Sequence, residues 1–191
     1  MVVYAEFEHL MINGDFVGVY SRSKSFLYRL PMMCNIDTTL ELEDDVELVD
    51  IDGDYELCAA SAISQNTALR INGQLEIRPG TEEVLKHVVS INVNGHIKYP
   101  EEVAPLLNRL RINGSTTCIP TGCIEVKPQF TIDRFFPIRA KESSKYFAAR
   151  KVLLLDPQVD IAALIAKNIR FVTPVFLTTE QLAATALGMF C

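Results

Sequence analysis

Apolar and polar residues alternate along this chain in short runs that end on the same two-residue signal. Leu69-Arg70-Ile71-Asn72-Gly73-Gln74-Leu75 states the pattern most fully. Val49–Tyr55, Ile91–Ile97 and Leu10–Phe16 share its form, and Leu110-Arg111-Ile112-Asn113-Gly114 repeats it up to Thr116. The unit is apolar-x-apolar-Asn/Asp-Gly-x-apolar. From Gly53 the glycines follow one another at steps of 20, 22 and 19 residues, and Gly14 lies 39 residues before Gly53, close to two steps. Alternation of period two predicts strands with one buried face, and a step of about 20 residues predicts a repeat architecture.

Asn-Gly between apolar runs is a strong hairpin signal, but register argues against a hairpin here. Opposed residues of a hairpin share a face. A two-residue loop at Asn72-Gly73 would set Ile71 against Gln74 and Arg70 against Leu75, an apolar residue against a polar one each time. The flanking apolar residues, Ile71 and Leu75, suit a corner at which the strand bends and then resumes its inward pattern. Asn and Gly both tolerate the left-handed backbone that a sharp bend needs. Weaker copies that lack the glycine fill the remaining steps: Met32–Ile36, Phe130–Phe135, Val152–Pro157 and Phe171–Pro174. That makes nine units.

The links between later units carry helix signals. Thr81-Glu82-Glu83 opens one with a capping residue and acids, and Lys86-His87 closes it. Pro100-Glu101-Glu102 opens a second, Asp160 caps a third over 160–168, and Thr179 caps a fourth over 179–187. The links at 21–27 and 59–66 read as less helical. Strand followed by helix, repeated with short loops, predicts parallel strands with helices outside. The expected fold is therefore α/β: one parallel solenoid domain over 1–191, of about nine strand-turn-helix repeats. Residues 1–66 would form acidic, poorly helical repeats and 67–191 regular ones.

Leu107-x-x-Leu110-x-Ile112 matches the first half of the pattern Leu-x-x-Leu-x-Leu-x-x-Asn-x-Leu, so the chain resembles the leucine-rich repeat family. Its Asn follows the strand directly, at Asn113, where the family pattern would put it at Ser115. The resemblance implies a curved α/β solenoid used as a binding surface. It implies no catalytic residue.

Charge adds an asymmetry. Residues 1–66 hold 13 acidic and 3 basic side chains and residues 67–191 hold 11 and 15, so the stretches carry about −10 and +4. An acidic total of −6 speaks against nucleic acid or an anionic membrane as partner. No apolar run approaches the roughly 18 residues of a membrane span, and the N-terminus lacks the basic start of a secretory signal. Cys34, Cys58, Cys118, Cys123 and Cys191 are scattered and odd in number, which suits reduced thiols in a cytoplasm. The placement of Cys34, Cys58 and Cys118 in or just after strands predicts small buried hydrophobes.

The candidate chemistry is sparse. Asp50-x-Asp52-x-Asp54 has the start of a calcium loop, but its sixth and twelfth positions are Tyr55 and Ser61 instead of Gly and Glu. Cys118, Cys123, His87 and His96 lack zinc-ligand spacing. Asp133, Arg134, Arg139 and Lys141 read as a surface charge network or an anion site. No phosphate loop, nucleophile elbow or His-Glu-x-x-His motif occurs, so no catalytic residue, metal or cofactor is expected. The expected function is a non-enzymatic protein-interaction module or assembly scaffold, the alternative a hydrolase or lyase with a dispersed site on the sheet face. The residue between two inward positions must face outward, giving the column Met11, Met33, Asp50, Arg70, Asn92, Arg111, Thr131, Leu154, Val172. Its polar centre, Asp50, Arg70, Asn92, Arg111 and Thr131, is the expected binding face. The ends lack polar caps, so Leu154, Val172, Met189 and Phe190 are expected to meet a further repeat of a longer chain, or another protein or a second copy.

Overall fold

The computed structural model describes residues 10–178 apart from 28, 30, 31 and 108. The chain is mainly β, arranged in several small sheets. The strands are β1 (Leu10–Tyr20), β2 (Met32–Leu42), β3 (Glu47–Asp52), β4 (Tyr55–Leu57), β5 (Thr67–Ile77), β6 (Val88–Pro100) and β7 (Leu110–Ile119). Six short ones follow: β8 (Cys123–Glu125), β9 (Gln129–Thr131), β10 (Lys145–Phe147), β11 (Lys151–Leu154), β12 (Arg170–Phe171) and β13 (Val175–Leu177). The helices are α1 (Ser21–Leu27), α2 (Glu82–Lys86), α3 (Phe136–Arg139), α4 (Ile161–Ala166) and a 3-10 segment, Glu101–Leu106. Each is four to seven residues long.

Every strand pair is parallel. β3, β5, β6 and β7 lie side by side, with β4 also on β5; β1 pairs β2, β8-β10-β12 form a third sheet and β9-β11-β13 a fourth. The Asn-Gly signals are corners within long strands: Asp52, Asn72, Asn94 and Asn113 stand in register, and so do Gly73, Gly95 and Gly114. An added Cβ on Gly95 would sit 2.1 Å from the Gly73 carbonyl oxygen, so the strands pass too closely at the corner for any side chain.

Two expectations are corrected. The α/β solenoid of nine strand-turn-helix repeats does not form, and neither does the leucine-rich repeat arrangement that the resemblance implied. The residues after each corner continue as strand. β5 runs to Ile77 and β6 to Pro100, leaving links of nine or ten residues that hold at most one or two helical turns. α2 and the 3-10 segment are therefore shorter than their capping signals suggested, and the Thr81 hydroxyl donates to the Arg78 carbonyl instead of capping α2. Asp160 does cap α4, accepting from the Ala163 amide at 2.9 Å. Conversely, Ser21–Leu27 forms the seven-residue helix α1 where the sequence read as less helical. The helix expected over 179–187 lies outside the described residues.

The parallel strands expected of one solenoid do not share one sheet either: the described strands form four. A parallel neighbour requires the chain to travel back the length of a strand, and a residue spans at most about 3.3–3.6 Å. Nine residues suffice for the bent strands β5–β7. Only four residues separate Leu42 from Glu47, and three separate Ile119 from Cys123. Neither link can return along an eleven- or ten-residue strand, so the sheet breaks at both places.

The core is correspondingly divided. Leu69, Ile71, Leu75, Ile97 and Val103 are fully buried under the five-stranded sheet. A second cluster holds Ile132, Val152, Leu154, Leu164 and Ile169, with Phe136 packed edge-on against Tyr146 at 5.2 Å. Leu40, Leu42 and Val46 form a small third cluster with Ala68, which seats the end of β2 on the outward side of the main sheet.

Candidate functional site

The outward column of the main sheet brings four of the five predicted binding residues together. Asp50, Arg70, Asn92 and Arg111 are register partners on β3, β5, β6 and β7, while Leu69 and Ile71 on either side of Arg70 are fully buried. The Arg70 guanidinium donates through Nη1 to both Asp50 carboxylate oxygens, at 2.8 and 3.0 Å. Asn92 keeps its Nδ2 buried without an acceptor among the described residues. Arg111 is exposed and has no ion pair or hydrogen bond among the described residues. Beside this column runs an exposed amide ladder at the corners: Asn113 donates to Asn94, Asn94 to Asn72 and Asn72 to Asp52, at 3.1, 3.1 and 3.3 Å. Thr131 is exposed on β9, in a different sheet, and does not join them.

Past the corner a second outward row is knitted by charge. Arg78 bridges Glu56 and Glu76, both at 2.8 Å, and Lys98 bridges Glu76 at 2.9 Å and Glu125 at 2.8 Å. Burial pulls the Lys98 ammonium towards its neutral form, but the hydrogen bonds and charges of Glu125 and Glu76 together outweigh it and hold its pKa above the ordinary lysine value.

Where the end of β2 crosses the sheet it leaves a cavity of about 690 Å³ against the beginnings of β6 and β7. Glu41, Glu43 and Asp45 line it from β2 and the turn that follows; Arg109, just before β7, and Arg111, on β7, line it from the other side. Leu40, Leu42, Val46, Val89 and Leu110 supply apolar surface, and Ser90 contributes a buried hydroxyl without a hydrogen-bond partner. Asp45 accepts from the Asn66 side-chain amide at 2.8 Å, and among the described residues the Arg109 guanidinium reaches only the Val89 carbonyl, at 3.4 Å.

The remaining sequence candidates resolve into local structure. Asp50, Asp52 and Asp54 each engage the neighbouring strand, at Arg70, Asn72 and the Gln74 amide, and do not converge. His87 contacts the Ile63 carbonyl and His96 the Ser115 hydroxyl; no three His, Cys, Asp or Glu side chains among the described residues are grouped to hold a metal. Asp133 pairs with Arg139, whose hydrogen bonds hold its carboxyl below the usual range, and Arg134 pairs with Asp156. Cys58, Cys118 and Cys123 are free thiols; Cys118 is exposed, contrary to the buried position expected for it. Of the predicted interface residues, Leu154 is fully buried in the chain's own core, since β11 aligns Val152 with Phe130 and turns Leu153 outward. Val172 is 49% exposed, and Met189 and Phe190 lie outside the described residues.

Sequence reasoning missed the cavity residues. Period two carries the outward column back from Asn92 to Ser90, but no local signal announces that β2 will cross in front of it. No protein-family model, curated protein or solved structure matches the chain. No helix among the described residues is long and apolar enough to cross a membrane.

Proposed function

We propose that this chain is a non-enzymatic protein-interaction module that receives its partner on the outward face of the five-stranded sheet. The observation that supports it is the regular polar array there: the column Asp50, Arg70, Asn92, Arg111 beside the exposed ladder Asp52, Asn72, Asn94, Asn113. Strands about 4.8 Å apart hold these groups at fixed spacing on a rigid backbone, so little ordering entropy opposes binding. Arg111 is exposed and offers donors that have no acceptor among the described residues, which a partner can supply. The scattered free thiols favour a cytoplasmic setting.

The test is site-specific photo-crosslinking in cells. A photoreactive residue at Asn113 should capture one discrete partner, and the same residue at Glu142, remote from this face, should not. Equal capture at both positions would remove the face from consideration. Screening the purified protein for hydrolysis distinguishes the enzyme alternative.

A further inference from the structure

The cavity beneath β2 carries opposite charges that do not meet. Among the described residues Glu43 accepts only from the Ser21 hydroxyl, at 3.4 Å, and Asp45 only from the Asn66 amide. Arg109 has one long bond to a neutral carbonyl, and Arg111 has none among the described residues. All four side chains line the same space, yet no ion pair among the described residues crosses it. Glu41, the third acid, is already paired with Lys24.

Topology fixes the separation. Asp45 is tied to Asn66, which immediately precedes β5, and Arg109 immediately precedes β7. β6 lies between them, so the acidic and basic ends stand about two strand spacings, or roughly 10 Å, apart. An extended chain of three residues spans about the same distance. Between the ends lie the apolar side chains of Leu40, Leu42, Val46 and Val89, and Ser90, on β6 next to β7, adds a hydroxyl without a partner among the described residues.

We propose that this cavity binds a short free peptide with an apolar centre, its ammonium group towards Glu43 and Asp45 and its carboxylate towards Arg109, Arg111 and Ser90. A volume of about 690 Å³ lies within the range of small-ligand sites. The apolar walls take the central side chain. Each terminus gains a charge-assisted contact that the chain itself does not provide.

The experiment uses the whole protein and the tripeptide Ala-Leu-Ala in three forms: free, N-acetylated and C-amidated. Calorimetric titration should show binding of the free form and a loss of about tenfold or more for each blocked form, since a charge-assisted bond exceeds the 1.4 kcal/mol that tenfold represents. Arg111→Ala should weaken the free form while leaving the amidated form unchanged, and Asp45→Asn should do the same with respect to acetylation. Equal affinity for free and blocked forms, or no binding of the free form, overturns the proposal. Because the comparison of peptides is made on the unaltered protein, it does not depend on the variants folding. Its failure leaves the crosslinking result at Asn113 untouched.

Discussion

At Gly95 the backbone adopts φ +144°, and an added Cβ would lie 2.1 Å from the carbonyl oxygen of Gly73. Gly53 has φ +115° but open space around it. The two positions therefore separate conformational strain from steric contact. Gly53→Ala should cost about 1–3 kcal/mol, the range for a non-glycine residue held in a sparsely populated region. Gly95→Ala should cost more, because the opposing atom is backbone and cannot move without parting β5 from β6. Urea unfolding of the two variants checks the order, and equal losses would mean the strands part easily. A different residue-scale dependence occurs at Thr173. Its buried hydroxyl donates to the Ala148 carbonyl at 2.7 Å and accepts from the Ala148 amide at 2.9 Å, so one side chain satisfies both backbone groups. Thr173→Val keeps the shape and leaves both unsatisfied, a loss of about 1–3 kcal/mol by the same assay.

Between elements, Lys98 is the clearest tie. It stands on β6 and joins Glu76 of β5 to Glu125 of β8, across the place where the main sheet ends. Its pKa is raised in the folded chain, so its contribution is fully present below the unfolded lysine value of about 10.4 and is lost as pH rises through the higher folded value. Lys98→Met should accordingly be less stable than the native chain near neutrality, with the difference narrowing above about pH 10.4. Thermal melts of both proteins from pH 7 upward measure that difference, in which the titration of other groups cancels. A gap that stays constant into the alkaline range would show that the ammonium charge is not what joins β6 to β8.

For the whole molecule, the two large apolar clusters share no residue: one centres on Leu69, Ile71 and Ile97, the other on Val152, Leu164 and Ile169. Ile71→Val and Ile169→Val, each expected to cost about 0.5–1.5 kcal/mol, should therefore add in the double variant to within about 0.5 kcal/mol. Equilibrium unfolding of the singles and the double tests this. A coupling well beyond that margin would mean that the clusters behave as one core.

The sequence by itself determined the spacing of the strands, their corners and their inward faces. Period-two alternation places Leu69 and Ile71 inside and Arg70 outside, and Asn-Gly marks where the strand bends, because both are consequences of local geometry. The same local signals put Asp50, Arg70, Asn92 and Arg111 in one column. Helix signals at Thr81 and Pro100 were present too, but the strands outlasted the corners and left the links too short for the helices those signals would start. Tertiary structure alone decided where the sheet breaks, since that depends on whether a link can span the strand behind it. It also turned Leu154 inward, by aligning Val152 with Phe130 and Val175. The cavity was decided in the same way: Glu43 and Asp45 lie more than sixty residues before Arg109 and Arg111. They face one space only because the short turn after β2 lays that strand's end across the sheet.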